Sequence, residues 1–232
     1  MTDPVLDADF DPLADAVRER DRVVRPKHAA TLILVRSDAP APRLLMGRRA
    51  GGHAFMPSKW VFPGGRIERA DWRAASATEL RPEVAEKVGA RARPLAMAAV
   101  RETFEEAGLM LAKRAEPQEG PGAWAEFTRR GALPHLASLT YVARAITPPY
   151  RAKRFDARFF MADAGELISL ERLPDCGELD EIAWVSLPEA LELDLPSITR
   201  FVVNEVGKRL TDPARPVPFV RMERGARKLD WL

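Results

Sequence analysis

Apolar residues first gather at 28–37, "HAATLILVRS", a β-branched run that reads as a buried strand. After the turn "SDAPAPR", "RLLMGRR" (43–49) returns as a second strand, so the pair is expected to form a hairpin. A short strand, "WVFP", runs into Gly64-Gly65. "HLASLTYVARAITP" and "RFDARFFMAD" alternate as strands do on either side of the turn "PPYRAK", and "EIAWVSLPEALELD" reads as strand, then helix. Helical spacing governs other stretches. Pro82 stands in the first turn of a short helix with Val84 and Val88 on one side. Pro94 opens a longer helix ending near Ala107, with Gly108 as its stop. "PSITRFVVNEVGKRL" (196–210) is an amphipathic helix, and "AEPQEGPGAW" reads as a loop. The sum is an α/β protein with a mixed sheet, expected as one α/β/α layered domain. Residues 1–27 read as an N-terminal arm, 28–232 as the domain, and 211–232 as its C-terminal extension.

Composition narrows the function classes. A chain of 232 residues with 46% hydrophobic content can bury a full core. Charged residues make up 30%, yet the net charge is +2, too small a field to imply nucleic acid. The single cysteine, Cys176, cannot form an internal disulfide and reads as inert, which fits a reducing, cytoplasmic setting. The acidic, proline-broken N-terminus is unlike a signal or transit peptide. The C-terminal "KLDWL" matches no lipidation or peroxisomal address. No apolar run approaches the roughly 18 residues a membrane span needs, so no membrane partner is expected. His28, His53 and His135 are scattered and lack ligand spacing.

The helix opened by Pro94 carries the chemistry. At about 100° per residue, Glu105 and Glu106 fall within about 60° on either side of Glu102. Met97, Val100, Phe104, Ala107 and Leu111 gather on the opposite face. Three carboxylates within one turn repel one another, and Arg101 alone does not offset them. A solvated acidic face is the plain reading of such a cluster. A hard divalent cation with oxygen ligands is the functional one.

With Gly64-Gly65 upstream, "RETFEEAGL" (101–109) resembles the Nudix hydrolase motif, G-x5-E-x7-R-E-U-x-E-E-x-G-U, where U is a bulky aliphatic residue. Arg101, Glu102, Glu105, Glu106, Gly108 and Leu109 match at the family's spacing, and the similarity spans residues 28 to about 210. Two departures stand out. Thr103 replaces an aliphatic residue, and Asp71 stands at the upstream glutamate with 29 residues, not seven, before Arg101. Residues 72–93 thus form an insertion inside the motif and a candidate substrate-facing element. Such an insertion, with "TPPYRAKRFDARFF" and "PSKWVFPGG", resembles the branch holding the peroxisomal coenzyme A diphosphatases. "LLMGRR" partly matches the coenzyme A-type motif through Leu44, Leu45 and Arg48.

The resemblance implies hydrolysis of a diphosphate linkage with Mg²⁺ or Mn²⁺ as cofactor. It implies Glu105 and Glu106 as metal ligands, Glu102 as a ligand or the base for the attacking water, and Arg101 as the residue orienting them. The Gly65 backbone carbonyl is implied at the metal, though Gly64-Gly65 also reads as a plain tight turn. Glu178 is a candidate further ligand. Arg48, Arg49 and Arg66 are candidates for holding substrate phosphates, and Arg151, Lys153 and Arg154 form a second basic cluster. Trp60 and Phe62 read as core. The expected partner is a small molecule, coenzyme A or acyl-coenzyme A. ADP-ribose, NADH or another nucleoside diphosphate derivative is the alternative, and a non-catalytic nucleotide-binding regulator is the alternative of another class. A homodimer is left open.

Overall fold

The computed structural model describes residues 24–49, 58–173 and 179–232. Most of the expected arm, the 50–57 loop with His53, Cys176 and Glu178 lie outside the described residues.

Strand β1 (Lys27–Arg36) shows why the first apolar run folds as it does. Its successive side chains face opposite ways, so Ala30, Leu32 and Leu34 enter one hydrophobic cluster while Ile33 and Val35 enter another. A strand buried on both faces needs a covering layer on each side. β2 (Arg43–Arg49) runs antiparallel to β1, as expected. β3 (Trp60–Val61) and β4 (Gly64–Arg66) follow.

Two helices come next. In α1 (Pro82–Val88), Val84 and Val88 are the buried residues. α2 (Ala92–Ala107) is the motif helix, and it starts two residues before Pro94. Proline is tolerated there because the first N–H groups of a helix have no carbonyl to meet. Gly108 ends α2 in the left-handed conformation at φ 69°, its N–H bonded to the Phe104 carbonyl at 2.9 Å.

The chain continues through β5 (Ala112–Arg114), α3 (Trp124–Arg129), β6 (Ala132–Pro134), β7 (Thr140–Ile146), β8 (Phe155–Asp163) and β9 (Leu179–Ser186). α4 (Leu187–Glu192) begins at a reciprocal cap in which Ser186 and Glu189 accept each other's backbone N–H. α5 (Ser197–Thr211), β10 (Pro218–Glu223) and β11 (Ala226–Trp231) complete it.

Among the described residues the main sheet runs β11-β10-β7-β8-β1-β2-β3, with β4 added on β1 and β9 on β2. It is mixed: β1 with β8 and β7 with β10 are parallel, the other pairs antiparallel. α2 packs on one face, and α5, through Phe201, Val202, Val203 and Val206, packs on the other. The α/β/α layering is the one expected.

Three local expectations change. Gly64-Gly65 is not a tight turn but part of strand β4, paired with Ala30 and Thr31. The "AEPQEGPGAW" loop ends in α3, which Trp124 opens. Residues 211–232 fold largely as the β10–β11 hairpin and continue the sheet beside β7.

Candidate active site

Asp71 and Arg101 organise the site. Arg101 Nε donates to Asp71 Oδ1 at 3.0 Å and Nη2 to Oδ2 at 3.2 Å. Asp71 also accepts from the indole N–H of Trp124 at 2.9 Å and the Glu68 backbone N–H at 2.7 Å, and it is wholly shielded from solvent. Four donors on one buried carboxylate fix its orientation. The remaining Arg101 donors reach outward. Nη2 donates to the Arg66 carbonyl at 2.8 Å, while Nη1 donates to Glu102 at 2.9 Å and Glu105 at 2.7 Å. One buried guanidinium thereby ties β4, the 3-10 turn at 70–72 and two motif glutamates together. Against desolvation by burial, which lowers it, Asp71, Glu102 and Glu105 together raise the Arg101 pKa, so its charge is permanent.

The third glutamate is held differently. Glu106 is buried and accepts the Gly64 backbone N–H at 2.9 Å. Glycine is required at both positions of the pair, by space and not by a left-handed backbone. A Cβ on Gly64 would lie 2.7 Å from the Ala30 carbonyl oxygen, and one on Gly65 would lie 2.3 Å from Glu102 Oε1. Thr103, between the glutamates, is fully buried with its hydroxyl donating to the Ala99 carbonyl at 2.9 Å. That internal bond is how a hydroxyl stands at a position expected to be aliphatic.

Burial pushes the Glu102 carboxyl up to about 7, with Arg101 pulling it back and the Glu105 charge adding to the rise. Burial likewise raises Glu105, opposed by Arg101, with Glu68 adding its repulsion. These carboxylates are desolvated and short of positive charge. Among the described residues, no three His, Cys, Asp or Glu side chains lie close enough together, as they stand, to hold a metal ion. Arg101 occupies two of the glutamates and Gly64 the third. The donors are nonetheless all oxygen, and two of them already converge on one guanidinium nitrogen. That chemistry fits a hard divalent cation, which Glu102, Glu105 and Glu106 could hold.

Glu102 and Glu106 line a cavity of about 500 Å³ on the α5 side of the sheet. Arg49, Arg66, Arg151 and Lys153 line it too, with Phe62 and Phe159 among its apolar walls. The Nε of Arg49 is buried there with no hydrogen-bond partner among the described residues.

Comparison with known proteins follows the same lines. A NUDIX hydrolase crystal structure from Alicyclobacillus acidocaldarius superposes with a TM-score of 0.62 at 27% identity, covering 79% of this chain and 91% of that one. The chain has the Nudix hydrolase fold. The acyl-coenzyme A diphosphatase NUDT19 of Gallus gallus is 30% identical over 216 residues, covering 64% of this chain and 55% of that protein. The chain therefore spans about half the length of the curated relative it matches. No protein-family model matches the chain.

On this Nudix frame the expected residues separate. Glu102, Glu106, Gly65, Arg49 and Arg66 meet at the cavity, whereas Glu105 and Arg101 stand outside its lining. Arg101 is 2% exposed and touches the site through its bonds to Glu102 and Glu105. Arg48 lies outside the lining as well and pairs with Glu181 at 3.2 Å. Of the second basic cluster, Arg151 and Lys153 reach the cavity, while Arg154 donates to the Thr147 and Val24 carbonyls.

Among the described residues, the insertion places none of 72–93 in the lining of this cavity. Its Ala74, Leu80, Val84 and Val88 join the cluster of Leu95 and Met97 on the α2 side of the sheet. Val84 and Val88 are the pair whose helical spacing the sequence shows, and they face this core. Sequence reasoning missed Glu68, Trp124, Arg221 and Arg227. The first two lack a spacing signal. The last two sit about a two-residue "RG" turn between alternating stretches, a hairpin signal that was there to read.

Proposed function

We propose that this chain is a Mg²⁺-dependent hydrolase of diphosphate linkages in nucleoside diphosphate derivatives. Its substrate in this reading is coenzyme A or acyl-coenzyme A, giving 3′,5′-ADP and 4′-phosphopantetheine or its acyl form. The observation that carries it is the placement of Glu102 and Glu106, two carboxylates from one helix, in the wall of a cavity that also presents Arg49, Arg66 and Arg151. The name of the Gallus gallus relative, an acyl-coenzyme A diphosphatase, supports the substrate.

Each group has a part in the reaction. A divalent cation, when bound, offsets charge on the diphosphate and acidifies a water. Glu102 and Glu106, with Glu105 beside them, supply oxygen donors toward it. Glu102, which lines the cavity beside Glu106, is either a ligand of that cation or the base for the attacking water. Arg101 holds Glu102 and Glu105 at fixed separation, and Asp71 holds Arg101. Arg49 and Arg66 bind the non-bridging phosphate oxygens.

The test is incubation with Mg²⁺ or Mn²⁺ and a panel of coenzyme A, acyl-coenzyme A, ADP-ribose, NADH and dinucleoside polyphosphates, with products resolved by chromatography. Turnover of coenzyme A compounds that stops on chelation supports the reading. Activity on ADP-ribose but not on coenzyme A overturns the substrate. No turnover of any compound leaves a nucleotide-binding regulator as the better account.

A further inference from the structure

The floor of the cavity follows one row of paired residues across the sheet. Arg66 pairs with Ala29, Ala29 with Ala157, Ala157 with Ala145, and Ala145 with Val220. All five line the cavity. The row crosses β4, β1, β8, β7 and β10, and four strand spacings span about 19 Å. Its three central positions are alanine, which leaves the space above them open. A trough of that length is longer than a diphosphate. What lies at its far end therefore bears on the rest of the substrate.

The far end is cationic. β10 and β11 bring Arg221, Met222 and Arg227 to the cavity, and the β7–β8 turn brings Arg151 and Lys153. Arg221 is paired with Glu223 at 3.1 Å and, through its Nε, with Asp230 at 3.2 Å, so the cationic character of this end rests on Arg151, Lys153 and Arg227. Near the carboxylates, the Nε of Arg49 is buried without a hydrogen-bond partner among the described residues. Cations thus stand at both ends of a trough with a neutral floor, and a single compact anion cannot satisfy both.

The geometry points to a second anion subsite, in which the β10–β11 hairpin and the β7–β8 turn bind a phosphate monoester carried on the nucleoside beyond the scissile diphosphate. Arg227 and Lys153 are its specificity-determining residues. This rests on the hydrolase reading above and deepens it. The hairpin selects nucleoside 3′,5′-bisphosphate ends over 5′-monophosphate ends, and the carboxylates at the other end do the cleaving.

Binding of product nucleotides tests this without requiring turnover. Isothermal titration with 3′,5′-ADP and with 5′-AMP, in Mg²⁺, is expected to show the bisphosphate binding about tenfold tighter to the full chain. Arg227→Ala and, on a separate element, Lys153→Ala each shrink that ratio toward one, and Arg227→Lys restores part of it. Lys228→Ala, on the same hairpin but outside the cavity lining, leaves the ratio unchanged. Equal affinities in the unmodified protein, no binding of either nucleotide, or a ratio that neither variant moves would overturn the subsite. A protein that keeps the ratio but hydrolyses nothing overturns the hydrolase reading and leaves the subsite standing.

Discussion

Asp71 and Arg101 are 30 residues apart in sequence, yet they meet as a two-nitrogen ion pair with almost no solvent access. That contact joins the glycine-bearing first half of the motif to its acidic second half. The insertion between them lengthens a connection whose ends stay together, a change that costs little loop entropy. Asp71 lies outside the cavity lining and is the anchor of the arginine that spaces the glutamates.

Breaking this anchor leaves a buried, unpaired guanidinium. Asp71→Ala is expected to cost about 3–5 kcal/mol, read as a lower urea midpoint. Trp124→Phe keeps most of the shape but removes one donor to Asp71, so a smaller loss of about 1–3 kcal/mol is expected. In both variants kcat falls, because Glu102 and Glu105 lose the fixed position of their shared donor. Full activity in a folded Asp71→Ala protein would show that Arg101 needs no anchor.

The two neighbouring glycines fail differently. A methyl on Gly64 meets backbone, so Gly64→Ala lowers stability by about 1–3 kcal/mol. A methyl on Gly65 meets first the Glu102 carboxylate, a side chain and not backbone. Gly65→Ala therefore keeps its melting temperature and loses activity. Thermal melts beside steady-state rates separate the two.

Glu102→Gln and Glu106→Gln are expected to lower kcat by about 10²–10⁴-fold. The fold should survive both changes. The amide oxygen of glutamine at 106 still accepts the Gly64 N–H, and at 102 the amide removes a carboxylate whose charged form burial disfavours.

Away from the site, Asp156 gives a pH test. Burial works to raise its pKa, but Arg144, bonded to both its oxygens at 2.9 Å, and Arg158 outweigh this and lower it. A depressed folded pKa means stability present above the unfolded value of 3.8 and lost as pH falls through the folded one. Denaturant titrations at pH 7 and below pH 4 should show Asp156→Asn less stable than the parent at neutrality, with the gap closing in acid. A gap that is constant with pH would contradict the assignment.

What the sequence made legible was local. The face of α2, its glycine stop and the alternation of β1 depend on residues a few positions apart, and each is where the spacing placed it. Arg49 and Arg48 show the limit: adjacent basic residues read alike, yet one lines the cavity and the other pairs with Glu181. Trp124 was hidden because its partner, Asp71, lies 53 positions away. Within the insertion, Val84 and Val88 join the core, a placement that depends on residues of α2 rather than on the insertion's own neighbours in sequence.

The most direct test of the account is product analysis by mass spectrometry after incubating the protein with coenzyme A and Mg²⁺. The account predicts 3′,5′-ADP and 4′-phosphopantetheine in equal amounts, with both products lost in Glu102→Gln and Glu106→Gln. Coenzyme A left intact by the unmodified protein, or products that persist in both variants, would contradict it.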